Sequence, residues 1–389
     1  MQLCGPCHTF VYFGFLNLRE HFMRILFVGS HRADKQFSIL GFEHALEREL
    51  GSRCPFETVY PGMGGQTKRM SKWARYAEKY IAFPRVLRSR AKDADIVHFC
   101  EKGSAINLPH VRDKVTLVTV HDFLAVQAAQ GDFPGWTVGW SGRKFQRQIV
   151  RAVTGAKALA CVSDTTRAAQ RHFLPNFKGQ VRTILNSMYK DFKRAGEKEI
   201  RDRLTGPYMP PFTNFFFHIG GNKPYKNRIG ALNLFSQIKS NDPSLEWGLV
   251  MAGGPKTEEL ANFEQSAGLA GSVHWAVEPS DEQVEAYYSL AGALLFPSLA
   301  EGFGLPMIEA QSCGCPVFAS NRGPMTEIGA GSAVYFDPTD PSDGASQVLA
   351  HMDNLGELTR LGYENVKRFA PKLMGDAYLD YYKDLMSRS

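Results

Sequence analysis

Phe296-Pro297-Ser298-Leu299-Ala300-Glu301-Gly302-Phe303-Gly304-Leu305-Pro306-Met307-Ile308-Glu309-Ala310 is the stretch on which the reading of this chain turns. Ala293 to Phe296 is an unbroken apolar run, the mark of a buried strand. Pro306 suits the first turn of a helix, so the segment reads as strand, tight turn and helix. Gly302 and Gly304 carry no Cβ, which lets a ligand approach the main chain closely. The free N–H groups at the helix start supply partial positive charge suited to a phosphate. Two carboxylates flank the turn, Glu301 and Glu309, with seven residues between them. Glu309, about one turn into the helix, is placed to accept hydrogen bonds from ribose hydroxyls, and Glu301 lies nearer whatever is attached beyond the phosphates. Two glutamates at one spacing mean little alone, since a helix N-terminal charge and a solvated loop residue would look the same; the whole phrase is far more specific.

Outward from this stretch the chain alternates strand and helix twice. Strands are predicted at Arg24–Val28, Glu57–Tyr60, Ile96–Phe99, Val115–Val120, Ala158–Val162 and Val181–Leu185. A second series runs Phe215–Ile219, Trp247–Ala252, Val273–Trp275, Ala293–Phe296, Val317–Ala319 and Ala333–Phe336, with helical periodicity between most neighbours. Such alternation implies parallel sheets covered on both faces, with sites at the carboxyl ends of the strands. A length of 389 residues suits two domains. Asn186 to Thr213 is charged and then carries Pro207, Pro210 and Pro211, a linker composition. The expected division is therefore a domain over 23–190 and another over 205–369, with the last helix, about Lys372 to Met386, packing back on the first. Residues 1–22 read as an extension of doubtful structure ahead of a functional start at Met23. Cys4-Gly5-Pro6-Cys7 matches a thioredoxin-type motif in letters but lacks the preceding strand that such chemistry needs.

The composition, 44% hydrophobic and 22% charged, is that of an ordinary globular protein. Seven cysteines, odd in number and scattered, argue against a disulfide framework and for a reducing compartment. No apolar run approaches the ~20 residues that span a bilayer. The expected location is the cytoplasm. The net charge of +6 is concentrated between Lys68 and Lys92, where nine Lys or Arg face one acid, Glu78, among Trp73, Tyr76, Tyr80, Ile81 and Phe83. Such a segment suits contact with an anionic membrane, at the inner face of the plasma membrane, or a phosphorylated acceptor; a solvated helical face explains it equally. No nucleic-acid motif accompanies the charge.

The phrase Pro-Ser-x-x-Glu-Gly-Phe-Gly-Leu-Pro-x-x-Glu-Ala resembles the retaining glycosyltransferases of family four almost letter for letter. The resemblance is strong from Phe215 to Pro338 and thinner before. It implies the GT-B architecture, two Rossmann-like doubly wound domains facing across a cleft. It also implies transfer of a hexose from a nucleoside-diphosphate sugar to a glycan or lipid-linked acceptor, in surface polysaccharide synthesis, without a metal or other cofactor. Gly220-Gly221-Asn222-Lys223-Pro224-Tyr225-Lys226-Asn227 resembles the family's strand, glycine, Lys-Asn segment. Lys226 is then the candidate cation for the departing diphosphate, and Gly221, Asn222 and Lys223 are candidate donor contacts, although Gly221 stands where the family often has Arg. The resemblance also places the amides of Gly302, Phe303, Gly304 and Leu305 on phosphate and sugar, Glu301 on sugar hydroxyls and Glu309 on ribose. His121, in Val118-Thr119-Val120-His121-Asp122, would face the reacting sugar from the first domain. The glycine pair that the family carries before its first helix is replaced near Phe37-Ser38, and only Gly29 is carried over there.

Ala160-Cys161-Val162-Ser163-Asp164-Thr165-Thr166-Arg167 and Gly323-Pro324-Met325-Thr326-Glu327-Ile328 also match the family but bring no chemistry with them. Asp93-Ala94-Asp95 has the letters of a metal-binding Asp-x-Asp, and a polar junction between helix and strand explains it more simply. Two further functions remain open to the same fold: a non-catalytic nucleotide-sugar-binding protein, and a sugar-nucleotide epimerase, which would release no glycoside.

Overall fold

The computed structural model describes residues 23–32, 37–63 and 77–388. The Cys4–Cys7 motif, the extension over 1–22 and the basic positions Lys68, Arg69, Lys72 and Arg75 lie outside these residues.

Runs such as Ile25–Val28, Ile96–Phe99 and Ala293–Phe296 are buried at every position. Strands apolar on both faces are stable only in a sheet covered on both sides. Two six-stranded sheets result, every strand pair in them parallel. The first contains β1 (Ile25–Val28), β2 (Phe56–Val59), β3 (Ile96–Phe99), β4 (Val115–Val120), β5 (Ala158–Cys161) and β6 (Gln180–Thr183), in the order β2-β1-β3-β4-β5-β6. The second contains β7 (Phe215–Gly220), β8 (Gly248–Gly253), β9 (Val273–Val277), β10 (Ala293–Phe296), β11 (Val317–Ser320) and β12 (Val334–Phe336), in the order β12-β11-β10-β7-β8-β9. The strand order of the second sheet reverses between β7 and β10. In open parallel sheets the crevice outside the strand ends at such a reversal is where ligands bind, so topology alone points to the loops after β7 and β10. These are the two segments singled out by the sequence.

The segment read as a linker is partly structured. It holds the helix Glu197–Arg203, and Phe192, Ala195, Ile200 and Leu204 are buried in the core of the second sheet. Charge masked this helix: one apolar residue per turn suffices where only one stripe is covered. In the basic segment, one wide turn over Glu78–Ala82 precedes the helix Phe83–Arg90, and the Phe83 N–H reaches back to the Glu78 carbonyl. This π-type turn leads into the helix with Pro84 in its first turn, where its missing N–H is tolerated. Ile81 and Val86 are exposed there.

The last helix, Pro371–Ser387, lies on the first domain. Tyr378, Tyr381, Tyr382 and Leu385 complete a core with Ile25, Phe27, Ile96 and Leu117. Buried His98 bonds Tyr382 Oη at 2.7 Å and Thr119 Oγ1 at 2.8 Å, and Thr119 in turn meets Tyr378 Oη at 2.8 Å. Burial lowers His98 to about 3, so it is a neutral bracket for this helix. Asp95 Oδ2 accepts the Arg24 amide at 2.7 Å, a polar junction at the start of β1 and β3.

Candidate active site

The bend after β10 is built as its sequence dictates. Gly304 takes φ +100°, a left-handed conformation open to glycine, and caps the helix Leu305–Ser312 with Pro306 in its first turn. Gly302 is required by contact: a Cβ there would stand 2.2 Å from the carbonyl oxygen of His121, across the cleft. The loop after β7 is held against the bend by Asn227, at φ 52°. Its side-chain NH₂ donates to Pro297 O at 2.9 Å and Pro338 O at 3.1 Å, and its Oδ1 accepts the Gly230 amide at 3.2 Å. The asparagine of the Lys-Asn pair thus ties three strand-end loops together and leaves the lysine free to face the cleft.

A cavity of about 400 Å³ opens between the two sheets, lined by His121, Lys226, Glu301, Gly302, Phe303, Gly304, Leu305 and Glu309 among others. Eight of the twelve predicted site residues therefore meet in one place. Lys226 Nζ lies 2.8 and 3.0 Å from the two carboxylate oxygens of Glu301. With side chains 20% and 9% exposed, the pair is sheltered enough for each charge to depend on the other. Glu309 receives the Tyr288 hydroxyl at 3.3 Å. Burial raises its pKa to about 7, against smaller opposing effects of Lys190 and Tyr288.

From the first domain comes His121, one residue past β4 and packed edge-on against Phe42, ring centroids 4.9 Å apart. Burial lowers it to about 4, so the ring is neutral at pH 7. Its Nε2 is 3.0 Å from the Cys100 carbonyl. A carbonyl only accepts, so Nε2 carries the proton and Nδ1 keeps a lone pair. Asp122 beside it is pushed up by burial but pulled below its ordinary value by Lys102, whose Nζ is 2.9 Å away.

The other four predicted residues lie elsewhere. Gly29 faces Glu43, which accepts the Ser30 amide at 2.7 Å. That buried carboxylate already occupies the amide at the end of β1, so the loop is not open to an anionic ligand. Gly221 is exposed beside open space. Asn222 donates to Pro255 O at 3.1 Å and braces Arg228. Lys223 stands 4.6 Å over the Trp136 ring. Residues that the sequence reading passed over also line the cavity: Ile39, Asp122, Asn186, Tyr189 and Tyr225. Asn186 is buried and its Oδ1 has no hydrogen-bond partner among the described residues. Asp122 and Tyr225 sat inside the quoted motifs, next to the residues chosen. Larger hollows occur, as at Arg24, Glu57 and Arg90, but that one lies at the amino ends of the strands, where this topology builds no site. Among the described residues no three His, Cys, Asp or Glu are grouped to hold a metal, and no helix is long and apolar enough to cross a membrane.

The raised pKa of Glu309 carries a stability signature. The unfolded chain ionises this group near 4.5 and the folded chain near 7, so its contribution is whole below 4.5 and is lost as pH rises through 7. Buried neutral His98, His121 and His218 act in the opposite sense, so the comparison must be with Glu309→Gln. Between pH ~5 and ~7.5 the variant should gain about 1–2 kcal/mol on the wild type in urea unfolding. A constant difference would mean that Glu309 ionises normally.

Residues 210–368 match the family model described as glycosyl transferases group 1. The O-antigen chain mannosyltransferase B of Escherichia coli is 24% identical over 281 residues, 71% of this chain and 72% of that one. A D-inositol 3-phosphate glycosyltransferase of Catenulispora acidiphila is 30% identical over 54% of this chain, which spans about half of that relative's length, 51%. Among solved structures, a sucrose-phosphate synthase from Thermosynechococcus elongatus superposes with a TM-score of 0.70 at 16% identity, covering 94% of this chain and all of that one. Anabaena HepE in complex with UDP and glucose gives 0.69 at 15% identity over 93% of this chain and 100% of its own. The glycine bend and the paired Lys226 and Glu301 lie within the stretch that matches the group 1 glycosyltransferases, and the two facing parallel sheets are those of a GT-B fold.

Proposed function

We propose that this enzyme is a retaining glycosyltransferase that moves a hexose from a nucleoside-diphosphate sugar to a glycan or lipid-linked acceptor. The observation that carries the reading is the convergence of Lys226, Glu301, Glu309 and the glycine bend at the strand-order reversal, opposite His121. Glu309 holds the ribose. The N–H groups that open the helix Leu305–Ser312 face the phosphates. On arrival of the donor, Glu301 turns from Lys226 to the sugar hydroxyls, and the released ammonium meets the charge that grows on the diphosphate as its bond to the sugar breaks. The cation that would otherwise be a metal ion is thus a side chain. His121 presents Nδ1 as an acceptor for a hydroxyl of the sugar or acceptor, and closure of the two domains excludes water from the anomeric carbon.

The names of the relatives, a mannosyltransferase of O-antigen chains and an inositol phosphate glycosyltransferase, support an acceptor that is itself a glycan or polyol. Thermal shift of the full chain against a panel of sugar nucleotides, followed by turnover in the presence of a chelator, tests the reading. Stabilisation by one donor and release of a glycoside with the anomeric configuration kept are expected. An epimerised nucleotide sugar as the only product, or loss of turnover with chelator, would count against it.

A further inference from the structure

Two segments matched the family without bringing chemistry, Ala160 to Arg167 and Gly323 to Ile328. The fold joins them across the cleft. The helix Asp164–Phe173 begins just after β5, and Ser163 caps it in the ordinary way, its Oγ accepting the Thr166 amide at 3.0 Å. The first two amides of that helix are taken by a carboxylate from the other domain. Glu327 Oε1 accepts Asp164 N–H at 2.8 Å, and its Oε2 accepts Thr165 N–H at 3.1 Å and the Thr165 hydroxyl at 3.3 Å. An anion at a helix start is favoured both by its hydrogen bonds and by the aligned peptide dipoles.

The carboxylate is itself held in place. The Glu327 carbonyl accepts from Arg368 Nη2 at 3.3 Å, and the Ile328 carbonyl accepts from Asn365 Nδ2 at 2.9 Å. Gly323 lets this turn approach, since a Cβ there would stand 2.5 Å from Thr165 Oγ1. Beneath it an apolar joint of Val162 with Phe303, Ile308, Ile328 and Phe369 spans the domains. Beside it the buried hydroxyls of Ser163 and Thr166 lie 3.0 and 3.2 Å from the Gly302 carbonyl, the centre of the donor bend. Thr166 Oγ1 is also 3.3 Å from the carbonyl oxygen of His121. A single hydroxyl thus gauges the distance between His121 and the bend.

We propose that Glu327 is a positioning residue: by docking on the start of the helix Asp164–Phe173 it sets, through Ser163 and Thr166, the register in which His121 faces Lys226 and Glu301. It touches no substrate, and its bonds are of a kind that water replaces at modest cost, as a reversible closure needs. The inference rests on the cleft being a transferase site, so two readouts are kept apart. Small-angle scattering of the full chain without ligand reports the domain arrangement whatever the reaction is. Steady-state turnover, with calorimetric binding of uridine and guanosine diphosphates, reports the site.

Glu327→Ala should raise the radius of gyration and lower kcat by about 10- to 100-fold, while the nucleoside diphosphate binds within about threefold of wild type because its contacts lie in the second domain. Glu327→Gln keeps one accepting oxygen and the same shape; it guards against a folding failure of the alanine variant and should give an intermediate kcat. Wild-type scattering and kcat in either variant would overturn the proposal, as would a loss of diphosphate affinity matching the loss of kcat. If neither diphosphate binds the wild type and no donor turns over, the transferase reading falls, and scattering alone decides the role of Glu327.

Discussion

Lys226→Ala should lower kcat by about 100- to 1,000-fold while changing the KM for donor by less than about tenfold. The lysine has one task that the ground state does not demand. In the proposed reaction the amides of the bend share the diphosphate charge before the glycosidic bond breaks, and only in the transition state would a further negative charge need a partner. The 2.8 Å pairing of Lys226 with Glu301 complicates a simple deletion, because alanine leaves the sheltered Glu301 carboxylate without its counter-charge. That loss destabilises the fold. The double variant Lys226→Ala with Glu301→Gln removes the stranded charge and should recover most of the thermal stability of the wild type without recovering turnover. Stability and kcat returning together would show that the lysine serves only to neutralise Glu301.

Gly302→Ala should reduce kcat/KM by at least about 100-fold, the scale of an ångström misplacement of reacting groups. The added methyl would lie 2.2 Å from the His121 carbonyl oxygen and 3.1 Å from its carbon. Both are backbone atoms that cannot rotate away, so the domains must part. Nucleoside diphosphate binding, which the proposed function assigns to the second domain, should change by less than about threefold. Gly221→Ala supplies the contrast: its methyl points into open space, and its kinetics should stay within about threefold of wild type. Equal losses in the two variants would mean that backbone freedom, and not the approach of the domains, is what the glycines provide.

The sequence made the sheets legible because buried parallel strands leave continuous apolar runs, and Ile96–Phe99, Val115–Val120 and Ala293–Phe296 were placed to the residue. The short helix Glu197–Arg203 was not, since it buries a single stripe and its charges read as linker. The bend, Lys226 and His121 were legible because close backbone approach and fixed charge demand particular residue types in a particular order. Asn222 shows what a letter alone leaves open. An amide that braces Arg228 and one that grips a ligand leave the same letter beside the same glycine. Glu43 had no local signal at all: its carboxylate reaches the Ser30 amide from a helix begun at Phe37, a contact made only by the folded chain. The same holds for Glu327, which is 163 residues from the helix it caps.

The helix Pro371–Ser387 buries three tyrosines in the domain that was begun at Met23. On the ribosome, that domain emerges first and is finished last, since its missing wall is still untranslated while the second domain folds. Nascent chains arrested before Ala370 should therefore bind a chaperone or be cut by protease within residues 23–190, whereas the fully released chain should resist both; protection of those residues in the arrested chain would show the wall to be dispensable.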